Sequence, residues 1–406
     1  MAKPEIRLRG FDGEWDRKYL ADEVSFFSGL TYTPSNIKLT GTLVLRSSNV
    51  QEGEISLLDN VYVDPAIVYS PFVKKNDIIV VVRNGSRSLI GKHAQIKNEL
   101  PNTVIGAFMT GIRSSHPEFM NALLSSRSFD KEVEKNLGAT INQITNASFR
   151  SMCFCFPHVK EQDEIGYYFK SLDSMIQGVT KKITSLKQMK QACLVSMFPQ
   201  EGETTPRVRF KGFKGEWEKK ILNDCLDISH EKNLDNRYGK NDVLSVSDDC
   251  GVMNQIELLG RSYAGKSVSN YGVLNNGEIV YTKSPLKSKP YGIVKMNTGK
   301  TGIVSVLYAI YVAKENTSTG FIHYYFDPAW RLNAYLLPLV NKGAKNTMNI
   351  SDEMALTGYI MIPKDIREQQ KIATYFTSLD KQISLQEARL EKLKQIKSAC
   401  LDKMFV

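Results

Sequence analysis

Residues 260–267, Gly-Arg-Ser-Tyr-Ala-Gly-Lys-Ser, fit the phosphate-loop pattern GxxxxGK[ST] letter for letter. The chemistry of that pattern needs a strand before the loop and a helix after it, whose N-terminus holds the phosphates. A strand is expected before this loop, but Val268-Ser269-Asn270-Tyr271-Gly272 and Asn275-Asn276-Gly277 after it are turn formers. No four-residue apolar strand ends in an aspartate suited to magnesium. Nucleotide binding is therefore the minor alternative. A small-residue loop presenting Arg261, Tyr263 and Lys266 to a phosphate backbone fits the residues better.

The remaining reactive types assemble into nothing catalytic. Asp327-Pro328-Ala329-Trp330 lacks the second proline of the Asp-Pro-Pro-aromatic grip used on extruded adenines. It reads instead as an N-cap aspartate with proline at the first helical position. Five histidines are scattered, with no metal-ligand spacing, and no nucleophile has a histidine base. Six cysteines without a CxxC pair fit reduced thiols in a cytoplasm. The sequence reads as a chain with no active site and no cofactor of its own.

What remains are basic and small polar loops at strand ends. In the first half these are Arg46-Ser47-Ser48-Asn49 and Arg83-Asn84-Gly85-Ser86-Arg87, with Lys92 close by. In the second half they are Arg261, Tyr263 and Lys266, then Lys283, Lys287 and Lys289, then Lys300. Arginine and lysine suit phosphates and guanine edges, and asparagine and serine suit adenine and backbone oxygens. Singly each is a solvated turn; the recurrence in both halves is the signal. The formal net charge of +10 agrees with a polyanionic partner. The excess is spread as +2 over 1–156, +2 over 157–199, +3 over 200–362 and +3 over 363–406.

The elements that must position these loops announce themselves by repetition. Residues 161–199 and 368–406 align without a gap at an offset of 207, with 18 of 39 positions identical. Both copies carry a heptad. Ile165, Phe169, Leu172, Ile176, Val179, Ile183, Leu186, Lys190, Cys193 and Met197 step by fours and threes. Ile372, Phe376, Leu379, Ile383, Gln386, Leu390, Leu393, Lys397, Cys400 and Met404 match them position for position. A 3.5-residue apolar period sustained this long predicts a helix–helix seam, and the lysine repeated within it fixes register and orientation. A second repeat, Gly-Phe-x-Gly-Glu-Trp, occurs at 10–15 and 212–217. Pro199 to Pro206 is a polar linker with proline at both ends.

The chain thus predicts a tandem duplication. Residues 1–156 form one mixed α+β body and 157–199 a long helix; 200–362 form the second body and 363–406 the second helix. Strands are expected at Thr42–Ser47, Ile55–Val63 and Asp77–Arg83, with a helix over Pro117–Asn136. In the second body strands are expected at Ile256–Leu259, Glu278–Thr282, Tyr291–Met296 and Ile303–Val312, with a helix over Pro328–Val340. Asn76–Ile79 and Gly91 correspond to Gly277–Val280 and Gly292. The longest apolar run, near Ile303–Ala313, is too short to span a bilayer.

These features resemble the specificity subunit of type I restriction-modification enzymes. The resemblance rests on the duplicated Gly-Phe-x-Gly-Glu-Trp and on the Pro-x(3–4)-Glu-Gln helix entries at 157–162 and 363–369. The Lys-Gln-x-Lys-x-Ala-Cys-Leu-x-x-Met-Phe helix ends complete it, and it covers essentially the whole chain. It implies two target-recognition domains, each reading half of a bipartite, asymmetric double-stranded DNA site, held apart by two antiparallel helices. It implies no catalysis by this chain. Two modification subunits would methylate adenines with S-adenosylmethionine, and restriction subunits would add translocation and cleavage driven by ATP with Mg2+. The rival reading is a structural adaptor in which the bodies bind protein or DNA without sequence specificity.

Overall fold

The computed structural model describes residues 3–137, 142–283, 289–342 and 348–406. The chain divides into two compact units: Met1–Lys181 together with Glu387–Val406, and Lys182–Gln386. Both boundaries fall inside long helices, at Val159–Ser196 and Ile366–Met404. Each unit is therefore built from one sequential body plus the start of one helix and the end of the other.

The repeated motifs turn out to be the clasp that fixes each helix to its body. In the first unit Arg7 donates to both Glu161 carboxylate oxygens at 2.7 Å. It also donates to the carbonyls of Gly13 at 2.6 Å and Asp12 at 2.7 Å. Wrapping the loop around one guanidinium forces Gly10 and Gly13 to φ of +94° and +83°, where a side chain is strained. Gln162 donates to the Pro157 carbonyl at 3.0 Å, and Trp15 is buried. The second unit repeats this with Arg209 on Glu368 at 2.7 Å, Gln369 on the Pro363 carbonyl at 2.9 Å, and Trp217 buried.

The helix segments within each unit run antiparallel. In the first, Tyr168 Oη lies 3.3 Å from Cys400 Sγ, Lys397 Nζ 2.6 Å from Asp173, and Phe169 stacks near Phe405. In the second, Tyr375 Oη lies 3.4 Å from Cys193 Sγ, Lys190 Nζ 2.8 Å from Asp380, and Phe198 stacks on Phe376. These are the same pairs shifted by 207. The other seam positions, Ile165, Leu172, Ile176, Ile183, Leu186, Ile372, Leu379, Ile383, Leu390 and Leu393, are buried or half-buried. The seam lysines are satisfied by carboxylates rather than left polar in an apolar row.

Each body centres on a four-stranded antiparallel sheet of the same order. In the first it runs Val24–Ser28, Met109–Ser114, Ile78–Val81, His93–Gln95. In the second it runs Leu226–Ile228, Tyr308–Ala313, Ile279–Thr282, Ile293–Met296. Gly91 and Gly292, at φ +87° and +92°, precede the matching last strands. The first body adds a second sheet, in which Thr103–Ile105 pairs parallel to Thr42–Leu45.

Several predicted elements are subdivided. The strand expected over Ile55–Val63 is two short ones, Glu54–Ile55 and Val61–Val63, with Leu58 exposed between them. The helix over Pro117–Asn136 breaks at Ser125–Ser126, where Ser126 Oγ caps the second piece by accepting from Phe129 N. The strand over Ile303–Val312 splits at an exposed turn carrying Val306 and Leu307. One expectation was of the wrong type: Ile256–Leu259 is helical. Asn254 Oδ1 accepts from the backbone N–H of Ile256 and Glu257, and Gly260 ends the helix at φ +77°.

Candidate nucleic-acid interface

In the first unit two loops distant in sequence meet. Ser47 opens a single 3-10 turn over Ser47–Asn49, and Asn84 Nδ2 donates to Ser47 Oγ at 2.9 Å. Arg83, exposed, lays its guanidinium 5.0 Å from the centroid of the Phe108 ring. A Cβ built on Gly106, two residues earlier, would stand 3.8 Å from Arg46 Cγ. Arg46, Ser47, Arg83, Asn84 and Phe108 thus form one patch. Arg87 and Lys92 are exposed, and the Lys92 carbonyl accepts from Val81 N, two residues before Arg83. Arg46 also pairs with Asp59 at 2.7 Å, which leaves it half-buried.

Asn49 does not belong to the patch. It is fully buried; its Oδ1 accepts from Arg46 N, and its Nδ2 donates to the carbonyls of Ser56 and Asp59. Its amide shapes the turn from within. Sequence reasoning missed Phe108, a large apolar side chain that is 52 % exposed beside the arginines. The signal available was a lone aromatic in a Gly-Ala-Phe turn.

In the second unit Arg261 lies 4.6 Å from the Tyr263 ring centroid, and Tyr263 is exposed. Gln255 holds the loop through Oε1, which accepts from Tyr263 N at 2.6 Å. Lys266 and Lys300 are exposed, the latter in a turn where Asn297 donates to its carbonyl at 3.1 Å. The phosphate-loop pattern has the wrong surroundings: a helix precedes it, and the next element is the strand Gly272–Leu274. The loop leads into a strand instead of the helix whose N-terminus would hold phosphates, so the described residues give the nucleotide reading no support.

Lys289 is a correction. Its side chain is 5 % exposed and donates to Asp248 at 2.6 Å and to the Asp327 carbonyl at 2.9 Å. It is one of three lysines in a buried ion network. Lys295 meets Asp327 at 2.7 Å, and Lys190 meets Asp327 at 3.1 Å. A buried ammonium with two oxygen partners cannot reach a phosphate without breaking the network. Asp327 is therefore not the helix cap its sequence suggests; Pro328 precedes the helix Ala329–Leu336, and the carboxylate serves the lysines. Burial alone would raise the Asp327 carboxyl, but Lys295 and Lys190 hold it below the usual carboxylate range. Burial also works against the Lys190 charge; Asp327 and Asp380 overcome it and raise that ammonium above its usual value. Lys283 is half-buried against Asp352 at 2.5 Å, and Lys287 lies outside the described residues.

Among the described residues no group of three or more His, Cys, Asp or Glu could hold a metal ion. No described helix is long and apolar enough to cross a membrane.

Comparison with known proteins bears on the family and the fold. Residues 214–395 match the family model for the type I restriction modification DNA specificity domain. Over 154 residues the chain is 28% identical to the type I restriction enzyme StySPI specificity subunit of Salmonella potsdam. It is 29% identical over 154 residues to the EcoKI specificity subunit of Escherichia coli strain K12. Each match covers 36% of this chain and 32% of the relative, so it spans about a third of those proteins' length. The fold is similar to that of the type I restriction-modification S subunit from M. genitalium. That match has a TM-score of 0.62 at 13% identity and covers 100% of this chain and 99% of the other. Residues 214–395 thus resemble the DNA specificity domain of type I restriction-modification enzymes, and the chain is similar in sequence to specificity subunits of that class.

Proposed function

We propose that this chain is the non-catalytic DNA-recognition subunit of a type I restriction-modification complex. Each unit reads one half of a bipartite, asymmetric double-stranded site. Two modification subunits, with S-adenosylmethionine, then methylate adenine N6, and restriction subunits supply cleavage with ATP and Mg2+. The chain holds no cofactor and works in the cytoplasm. The observation that carries this reading is one frame presenting two different surfaces. The Arg–Glu clasp and the four-strand order recur in both units. The exposed loops differ, with Arg83 and Phe108 in one and Arg261, Tyr263 and Lys266 in the other. A shared scaffold with divergent loops suits a duplicated binder of two targets. In this reading the duplicated helices act as antiparallel coiled-coil spacers that set the distance between half-sites.

The test is a domain exchange. Residues 207–362 are replaced by the corresponding region of a relative, and host DNA is sequenced for N6-methyladenine. One half of the methylated motif is expected to change while the other stays. A change in both halves, or in neither, refutes the assignment.

A further inference from the structure

Phe108 is held more firmly than an exposed loop residue needs to be. Its carbonyl accepts from both Val82 N at 3.0 Å and Arg83 N at 3.2 Å. The residues before it are fixed as well: Gly106 N donates to the Leu45 carbonyl at 2.8 Å, and Ala107 N to the Leu30 carbonyl at 3.0 Å. The turn closes through Met109 N on the Gly106 carbonyl at 2.9 Å. Gly29 packs so closely on this turn that a Cβ there would fall 2.0 Å from the Gly106 oxygen. The ring is thus half in water, beside the Arg83 guanidinium, on a turn whose backbone is bonded to Leu30, Leu45, Val82 and Arg83.

An apolar ring fixed in a basic patch needs an apolar partner on a polyanion. Duplex DNA offers few such groups. On the major-groove edges of the bases the apolar one is the thymine C5 methyl. Insertion between base pairs fits less well, because the Arg83 guanidinium covers one side of the ring and the backbone is bonded on both flanks. Tyr263, the exposed aromatic in the second unit's candidate loop, ends in a hydroxyl and lacks this character.

We propose that Phe108 is a specificity-determining residue that contacts a thymine methyl in the half-site read by the first unit, with Arg83 stacked on the ring and directed at the adjacent base or phosphate. This rests on the reading of the patch as a DNA surface, and it adds the base type and the residue that detects it.

The experiment uses the full chain assembled with its host's modification subunits and duplexes bearing the mapped methylation motif. Each thymine of the first half-site is replaced in turn by uracil, which removes only the C5 methyl. One position is expected to lose about fourfold in affinity, the equivalent of about 0.8 kcal/mol for one buried methyl-sized group. In Phe108→Ala, thymine and uracil at that position should bind alike, with responses in the other half-site unchanged. Phe108→Leu should retain part of the preference. No uracil-sensitive position in the wild-type first half-site, or an undiminished preference in Phe108→Ala, overturns the inference. So does a Phe108→Ala that weakens thymine and uracil duplexes equally; these results leave DNA recognition standing. An assembly that does not distinguish its motif from unrelated duplex overturns both readings.

Discussion

Replacing Asp327 by asparagine keeps the side chain's shape and removes its charge, which isolates the role of the buried ion network. In the native second unit Lys190, Lys289 and Lys295 face Asp248, Asp327 and Asp380, and the charges balance. Asp327→Asn leaves three ammoniums against two carboxylates. Lys190 keeps Asp380 at 2.8 Å, and Lys289 keeps Asp248 and the unchanged Asp327 carbonyl. The loss falls on Lys295, whose side chain is 6 % exposed and whose next carboxylate is Asp248 at 3.5 Å. Removing one partner of a buried pair costs about 3–5 kcal/mol, and the amide oxygen still accepts one hydrogen bond, so the lower end is expected. Guanidinium unfolding of the full chain in a Trp15→Phe background reads the second unit, because Trp217 and Trp330 both lie there. The pH dependence has a definite sign. A carboxyl depressed in the folded state contributes stability above its unfolded value of about 3.9 and loses it as the pH falls below. Wild type should therefore weaken below about pH 4 more steeply than Asp327→Asn does. The double change Asp327→Leu with Lys295→Met removes both charges and should recover much of the loss. A loss under about 1 kcal/mol in Asp327→Asn, or equal acid sensitivity in both proteins, refutes the view that Asp327 holds this unit together.

Arg83→Ala in the assembled methyltransferase should cost about 1–3 kcal/mol and relax one base position if the guanidinium reads a base. Arg87→Ala should instead weaken all sequences alike and flatten the salt dependence of binding, as a phosphate contact does; binding unchanged in both variants would make the loop a solvated turn. Duplicating Lys181-Lys182-Ile183-Thr184 lengthens the first long helix by about 6 Å. At about 3.4 Å per base pair the unread spacer of the methylated motif should grow by one to two base pairs. An active variant with an unchanged spacer refutes the helices as the ruler.

What was legible in the sequence was whatever physics imposes locally or twice. Gly-Phe-x-Gly-Glu-Trp stands out because two glycines must adopt positive φ around one arginine, and the same constraint recurs in each unit. The seam could be read because a 3.5 period leaves a mark at every turn of a long helix. Side-chain destinations set by partners far along the chain leave no such mark. Lys289 finds Asp248 41 residues away, and nothing near Lys289 distinguishes it from the exposed Lys300. Asn49 looks like a base reader because its amide has the right groups, yet the Asp59 carbonyl ten residues on engages it. The run Ile256–Leu259 is too short for periodicity to separate strand from helix, and its outcome was decided by the Asn254 cap just outside it. Phe108 is the converse case, an apolar residue that composition assigns to a core. Backbone bonds to Val82 and Arg83 hold it at the surface instead. The scaffold is therefore written in local constraints, whereas the candidate recognition surface depends on which polar groups remain after long-range pairing. Among the basic candidates that pairing removes Lys289 and leaves Arg83, Arg261, Lys266 and Lys300 at the surface.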